Sequence, residues 1–276
     1  MRYVMISDVH GEYDKMINAL SNADFDPQKD TLVTLGDLFD RGSKSKEVLE
    51  YVMGTPRHIC IWGNHELRLK QVIFGAHREN YDKQNGMQYT LQSLCSLPNP
   101  PSIYWGIQVL RSDEFCRPTY NLLLRYFDEC VNAIEWDNLI CTHGWIPCKQ
   151  TPTKYLPDAS WREANSYEWE AASWAHSGEM LKQKIVPDKD MVVGHWHSWR
   201  IALNFGGEMV IDRTTKGTDE LPWFNCNPYI YHLVGNNAAA DIIFIDGMSN
   251  YENGGKVNTF VYESDAAPKL ITALRK

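Results

Sequence analysis

Five short apolar runs in this chain each end on residues able to ligate a cation, and only a fold that gathers strand ends at a common rim can bring those residues together. The runs are Tyr3 to Ile6, Thr31 to Leu35, Ile59 to Trp62, Leu139 to Cys141 and Met191 to Val193. Each has the length and β-branched content of a buried strand. They lead into Ser7-Asp8-Val9-His10-Gly11, Gly36-Asp37-Leu38-Phe39-Asp40-Arg41-Gly42, Gly63-Asn64-His65-Glu66, Thr142-His143-Gly144 and Gly194-His195-Trp196-His197. In open α/β sheets the rim beyond the carboxyl ends of the strands is where ligands bind. One site that draws on residues 8 to 197 predicts a single domain spanning 1–276, and 43% apolar residues suffice for its core.

Between these runs the pattern alternates. Glu12 to Ala23 places Met16, Ile17, Leu20 and Ala23 on one helical stripe, and Ser43 is the expected N-cap of a helix over Lys44 to Met53 that Gly54-Thr55-Pro56 ends. A βαβαβ rhythm predicts parallel strands joined by right-handed crossovers. A helix is expected from Asn64 to about Phe74. From 76 to 135 the rhythm stops, and helices near 87 to 96 and 118 to 133 predict a helical insertion over the site. Strand signal returns at 138 to 142. Pro147 to Ser160 is expected as loop and the Trp-rich stretch from Trp161 to Lys184 as helix. Residues 200 to 276 read as mainly β, with strands at Ile201 to Asp212, Tyr229 to Val234, Ile242 to Asp246 and Val257 to Glu263 and a hairpin at Gly254-Gly255.

Asp8, His10 and Asp37 offer two carboxylates and an imidazole; Asn64, His143 and His195 add an amide oxygen and two imidazoles. Mixed oxygen and nitrogen donors without thiolate suit manganese, iron, zinc or cobalt. If Asp37 bridges, two ions sit roughly 3.5 to 4 Å apart, the spacing of two-metal hydrolases, and a hydroxide held between them is a nucleophile at neutral pH. Several carboxylates buried at one sheet edge without cations would cost several kcal/mol each. The net charge of −8 excludes long-range steering toward nucleic acid. An acidic protein acting on anionic substrates must supply its positive charge locally, as bound cations do. The seven cysteines include no Cys-x-x-Cys, and no apolar segment is long enough to span a bilayer; a reduced, cytoplasmic protein is the expectation.

In this order the five segments resemble the metallophosphoesterase superfamily, and within it the phosphoprotein phosphatase (serine/threonine phosphatase-like) family of bacterial and phage type. The likeness rests on Gly36-Asp37-x-x-Asp40-Arg41-Gly42 and Gly63-Asn64-His65-Glu66, with Asn85 to Leu94, Ile245-Asp246-Gly247 and Gly255 to Val261 in support, and covers most of the chain. It implies an α/β fold, a calcineurin-like sandwich of two mixed β-sheets flanked by helices. It also implies two divalent or trivalent metal ions, manganese first with iron, zinc, cobalt or nickel as alternatives. Metal one would be held by Asp8, His10 and Asp37, and metal two by Asp37, Asn64, His143 and His195. The resemblance makes His65 the general acid, oriented by Asp40, and Arg41 the grip on the phosphate.

Departures from the family pattern bear on the substrate. Protein phosphatases place an Arg before Gly-Asn-His-Glu, where this chain has Trp62. They place another Arg two residues after a Trp, where Trp174 is followed by Ala175 and His176. His176 or Arg162 is a candidate replacement. His197 matches a Gly-His-x-His pattern of the broader superfamily and is a further candidate ligand. Trp145 and Trp196 lie beside the histidines, either as rings that stack on a nucleobase or as wall packing. The first expectation is a hydrolase of phosphate monoesters, acting by metal-bridging hydroxide on a phosphorylated small molecule, nucleotide or phosphoprotein, with no membrane partner. A dinucleoside polyphosphate hydrolase of the diadenosine tetraphosphate type is the main alternative. A phosphodiesterase is another, raised by His197, and a non-catalytic metal-binding interaction module is the alternative of a different class.

Overall fold

The computed structural model describes residues 1–76, 78–98, 102–151, 154–183, 185, 188–197, 208–210, 230–233, 242–250 and 255–273. The described chain opens with β1 (Arg2–Ile6), α1 (Tyr13–Asn22), β2 (Thr31–Thr34), α2 (Ser45–Gly54), β3 (His58–Cys60) and α3 (Asn64–Ile73). Helices α4 (Glu79–Gln84), α5 (Met87–Cys95), α6 (Ile103–Ser112) and α7 (Arg117–Glu129) follow, then β4 (Ala133–Glu135), β5 (Leu139–Thr142), β6 (Cys148–Gln150) and β7 (Tyr155–Pro157). Helices α8 (Ser166–Ser173) and α9 (Ser177–Lys182) precede β8 (Asp190–Val193), β9 (Glu208–Val210), β10 (Ile230–Leu233), β11 (Ile242–Phe244), β12 (Thr259–Glu263) and β13 (Lys269–Ile271).

Two mixed sheets result. The first has four strands in the order β12-β1-β2-β3, with β1, β2 and β3 parallel as the βαβαβ rhythm requires and β12 antiparallel against β1. The second has seven in the order β13-β4-β5-β8-β11-β10-β9, with β5, β8 and β11 parallel at its centre. Successive side chains of a strand point to opposite faces, and that alternation builds three cores. Tyr3 and Met5 of β1 and Val33 of β2 face the second sheet, meeting Leu139, Cys141 and Val192 in the layer between the sheets. Val4, Ile6 and Leu32 face the other way, onto Met16, Leu20, Val48, Val52 and the helices of the 79–129 stretch. On the outer side of the second sheet, Ile140, Met191 and Val193 pack under Trp145, Trp161 and Trp169. The architecture is an α/β sandwich of two mixed sheets flanked by helices, as the family resemblance implies.

Local departures have physical causes. Helix α2 begins at Ser45 with Lys44 as N-cap rather than Ser43, because the turn before it is held by the Lys44 N–H on the Gly11 carbonyl. Four helices, not two, are found among the described residues of 79 to 129; α6 is buried through Ile103, Gly106, Ile107 and Leu110, a face that forms only against α4, α5 and α7. The expected helix to 133 stops at Glu129, and the apolar residues after it enter β4. The expected loop from Pro147 contains the β6-β7 hairpin, and the Trp-rich stretch is divided into a 3-10 turn, α8 and α9. Most of the expected strand from Ile201 to Asp212, and Gly254 of the expected hairpin, lie outside the described residues. No described helix is long and apolar enough to cross a membrane.

Candidate metal centre

The loops after β1, β2, β3, β5 and β8 converge at the carboxyl ends of the parallel strands, with both sheets contributing. The first two loops are laced backbone to backbone: Asp8 N–H donates to Gly36 O (3.0 Å), His10 N–H to Asp37 O (2.9 Å), Gly11 N–H to Leu38 O (2.8 Å) and Gly42 N–H to His10 O (2.8 Å). So close an approach leaves no room for a side chain. A Cβ on Gly11, whose φ is +68°, would stand 2.7 Å from the Gly42 carbonyl oxygen. Asp8, His10, Asp37, Asp40, Arg41 and His195 all adopt positive φ, between 48° and 69°. Each such conformation costs of order 1–3 kcal/mol in a non-glycine residue and persists only where its surroundings fix it; the cross-loop bonds do that here.

Two groups of donor atoms gather on one carboxylate. His10, Asp37 and His65 form one group and Asp37, His143 and His195 the other, the candidate ligand atoms of each lying within 4.8 Å of one another. His10 Nδ1 donates to the Phe39 carbonyl (2.8 Å) and His143 Nδ1 to the Leu35 carbonyl (2.7 Å). A carbonyl only accepts, so each bond fixes the tautomer and aims Nε2 into the site, as a metal-ligating histidine requires. His143 Nε2 reaches Asn64 Oδ1 (2.8 Å) and Asp37 Oδ1 (3.3 Å). The remaining carboxylate, Asp8, accepts from the His195 backbone N–H (2.9 Å) and from Ser7 Oγ.

The charges show what this site wants. Burial, then the neighbouring Asp246 and Asp37, push Asp8 well above the ordinary carboxylate range. Burial acts the same way on Asp37, but the imidazoles of His143, His65 and His10 outweigh it and hold the group well below that range. Against its own burial, His143 is raised to about 10, chiefly by Asp37; burial and the charge on His143 lower His195 to about 3. The carboxylates therefore draw positive charge toward the space between Asp37 and Asn64, where His143 Nε2 points. Divalent cations would supply that charge and keep Asp8 ionised, so the donor set fits a metal centre.

Next to these donors stands a second unit. His65 Nδ1 is 2.7 Å from Asp40 Oδ2, and Asp40 Oδ1 accepts from Thr90 Oγ1 (2.8 Å), which itself accepts from Asp40 N–H (2.7 Å). Burial lowers the affinity of His65 for protons, while Asp37 and Asp40 raise it and prevail. The Arg41 guanidinium lies across both imidazoles, 2.7 Å from His10 Nε2 and 3.2 Å from His65 Nε2. Arg41 N–H donates to Gly86 O (3.3 Å), so the segment from Asn85 to Leu94 supports both Asp40 and Arg41.

Three residues inside the quoted motifs carry roles that the motifs do not assign. Glu66 is fully buried; its Oε2 accepts from Asp37 N–H (2.7 Å) and Gly63 N–H (3.0 Å) and its Oε1 from Leu38 N–H (2.7 Å), pinning the Asp37 loop to the start of α3. Its signal was present, since a Glu at the third helical position is a capping residue. Thr90 carries no such signal. Asp246 accepts from His197 Nδ1 (2.9 Å) and Met248 N–H (2.8 Å). His197, like Asp8, lies in neither three-residue group; Asp246 holds its Nδ1, which leaves Nε2 as the atom that could ligate.

The expected substrate contacts divide. Arg162 is a correction: it grips Glu135 (2.9 Å) and Asp188 (3.2 Å), and Glu135 pairs with Ile140 toward the end of β5 remote from His143, too far away to hold a phosphate. Trp145 is a second correction, because it is wholly buried in the outer core and offers no face to a ligand. Trp196 and His176 do lie at the rim, but against each other, with ring centroids 3.7 Å apart and Trp196 Nε1 donating to Ala175 O (3.1 Å). Trp62, at the position of the missing arginine, stacks on Phe127 (5.5 Å) beneath Lys70 and is 9% exposed, so it serves the core.

Residues 1–221 match the model of the family described as calcineurin-like phosphoesterase. Among curated proteins, the chain is 40% identical over 100 residues to a symmetrical bis(5'-nucleosyl)-tetraphosphatase of Klebsiella pneumoniae strain 342, covering 36% of this chain and 33% of that protein. It is 44% identical over 79 residues to the protein of the same description from Yersinia enterocolitica, covering 28% of this chain and 27% of that protein. The matched stretch thus spans a third or less of these relatives. Among solved structures it is similar to a cold-active protein-tyrosine phosphatase of a psychrophilic Shewanella (16% identity, TM-score 0.47, 98% of this chain and 80% of that one). It is also similar to a metallophosphoesterase from Sphaerobacter thermophilus (18% identity, TM-score 0.42, 100% and 89%).

Proposed function

From the premise that this chain belongs to the calcineurin-like phosphoesterase family, we propose that it hydrolyses dinucleoside polyphosphates symmetrically, converting a dinucleoside tetraphosphate and water to two nucleoside diphosphates. The observation that carries the hydrolytic chemistry is the single carboxylate, Asp37, common to both donor groups. The choice of substrate is supported by the relatives described as symmetrical bis(5'-nucleosyl)-tetraphosphatases, and it displaces the phosphoprotein as the preferred substrate. The packing of Trp62 on Phe127 and the pairing of Arg162 with Glu135 and Asp188 support the same choice.

Asp8, His10 and Asp37 would hold one metal ion and Asp37, Asn64, His143 and His195 the other. When bound, such ions supply Lewis acidity to the phosphoryl oxygens and acidify water for the attack. The chain's own residues do the rest. Arg41, released from the His10 lone pair that a cation would take, presents a planar fork of donors to the phosphoryl oxygens. In an in-line displacement the new P–O bond comes from water, and the bond that breaks joins the central bridging oxygen to one of the two middle phosphorus atoms. His65, kept in register by Asp40 and Thr90, donates its Nε2 proton to that departing oxygen.

Manganese-loaded protein incubated separately with diadenosine tetraphosphate, a phosphoserine peptide, a generic monoester and a generic diester tests this. Expected is ADP as the sole nucleotide product, with kcat/KM at least about tenfold above that for the peptide. Equal amounts of AMP and ATP, or preference for the peptide, would overturn it.

A further inference from the structure

Among the described residues, Trp174 combines contact with a candidate metal ligand and an open side chain, at 41% exposure, although its neighbours Ser173 and Ala175 are buried. That contrast comes from how the segment is clamped. On one side Trp145 N–H donates to Ala172 O (3.0 Å), and a Cβ on Gly144, the residue after the ligand candidate His143, would stand 2.5 Å from Ala172 O and 2.6 Å from Ser173 O. The end of α8 is thus pressed against the His143 loop. On the other side Trp196 Nε1 holds Ala175 O, and the Trp196 ring lies on His176. The backbone on both sides of Trp174 is fixed, and the ring is left projecting at the rim. It meets the His195 imidazole edge to face, with centroids 6.3 Å apart and planes at 86°. A ring whose edge or face is turned to His195 keeps other surface free for a planar ligand.

We infer that Trp174 is the specificity-determining platform of this site, stacking on one nucleobase of the dinucleoside polyphosphate while the phosphate chain lies over the metal centre. The inference rests on the proposed function. It assigns the base contact to Trp174 rather than Trp196, whose face His176 covers, or Trp145, which is buried. A base bound there stands beside a candidate metal ligand, so its own phosphate chain runs directly into the centre. Base stacking needs only a π-face, and it tolerates any base; adenine and guanine dinucleotides should therefore be taken alike.

The test compares wild type, Trp174→Phe and Trp174→Leu on diadenosine tetraphosphate and on inorganic tripolyphosphate, which has the phosphates without a base. Expected is a rise in KM for the dinucleotide in Trp174→Leu about tenfold larger than any rise for tripolyphosphate, with kcat for the dinucleotide changed much less and Trp174→Phe intermediate. A structural role would instead move both substrates together, and equal changes, or none, would overturn the inference while leaving the proposed function standing. If Trp174→Leu fails to fold by circular dichroism, Trp174→Phe alone decides: a selective severalfold rise supports the platform and an unchanged KM ratio overturns it. Wild type that cleaves tripolyphosphate but not the dinucleotide overturns the proposed function and this inference with it.

Discussion

Replacing Glu66 with glutamine tests whether the metal-bearing loop is held from beneath. The carboxylate accepts three backbone N–H bonds, from Leu38 on one oxygen and from Asp37 and Gly63 on the other, at 2.7 to 3.0 Å in a fully buried position. Glutamine has one oxygen that accepts and one nitrogen that only donates. In its better orientation the oxygen serves Asp37 and Gly63, and the amide nitrogen then faces the Leu38 N–H, donor against donor. One buried donor is left unpaired, at about 1–3 kcal/mol, and two bonds pass from charged to neutral acceptors, losing about 1 kcal/mol each. Removing a carboxylate that burial and Asp37 push up to about 7 offsets part of this loss. The net is about 2–4 kcal/mol. At roughly 2–3 °C per kcal/mol for a chain of this size, the Tm should fall by about 5–10 °C in calorimetry. Glu47→Gln, at an exposed residue with one long bond from Ser93 Oγ (3.4 Å), is the control and should stay within about 0.5 kcal/mol. A fall of less than 2 °C for Glu66→Gln would refute the clamp.

Asp37→Asn should abolish binding of both metal equivalents, measured by elemental analysis after gel filtration, together with turnover; one retained equivalent would show that the carboxylate is not common to two ions. His65→Asn should lower kcat by about 10²–10⁴-fold with metal content unchanged, and loss of metal instead would place His65 among the ligands, as its grouping with His10 and Asp37 allows. Glu135 is held down at about 2, first by hydrogen bonds from Arg162 and then by Lys189. Its folded value lies below its ordinary 4.5, so its contribution to stability is complete above that value and is lost as pH falls toward 2. Glu135→Gln should therefore lower the Tm at pH 7 and make little difference near pH 2; an equal deficit at both would refute the linkage.

What the sequence discloses here is what chemistry writes locally. An apolar run that ends on Asp or His is visible residue by residue, and the parallel β1-β2-β3 unit and the convergence of Asp8, Asp37, Asn64, His143 and His195 follow from five such runs. Burial is different, because it depends on which surface arrives from elsewhere in the chain. Trp145, Trp174 and Trp196 look alike in sequence, yet one is sealed in a core, one lies under a histidine and one projects at the rim. Thr90 reads as an ordinary helical residue until the insertion folds back over Asp40. Strands β4 and β13 are three residues each, too short for periodicity to declare, and exist because β5 offers an edge to β4 and β4 in turn offers one to β13. Arg162 misled for the same reason: its partner Glu135 is far away in sequence and at the wrong end of the sheet.

The seam between the two sheets runs through the cluster around Asp37. Asp8, His10, Asp37 and Asn64 arrive on one half of the sandwich, and His143 and His195 on the other. Ions gripped by both halves would act as a rivet, reinforcing a joint that greasy contact and a few hydrogen bonds, such as His143 to Leu35 and His195 to Asp8, already hold. Loading the protein would then harden the whole molecule as well as arm it, and neither half could assemble a working centre before it had met its mate.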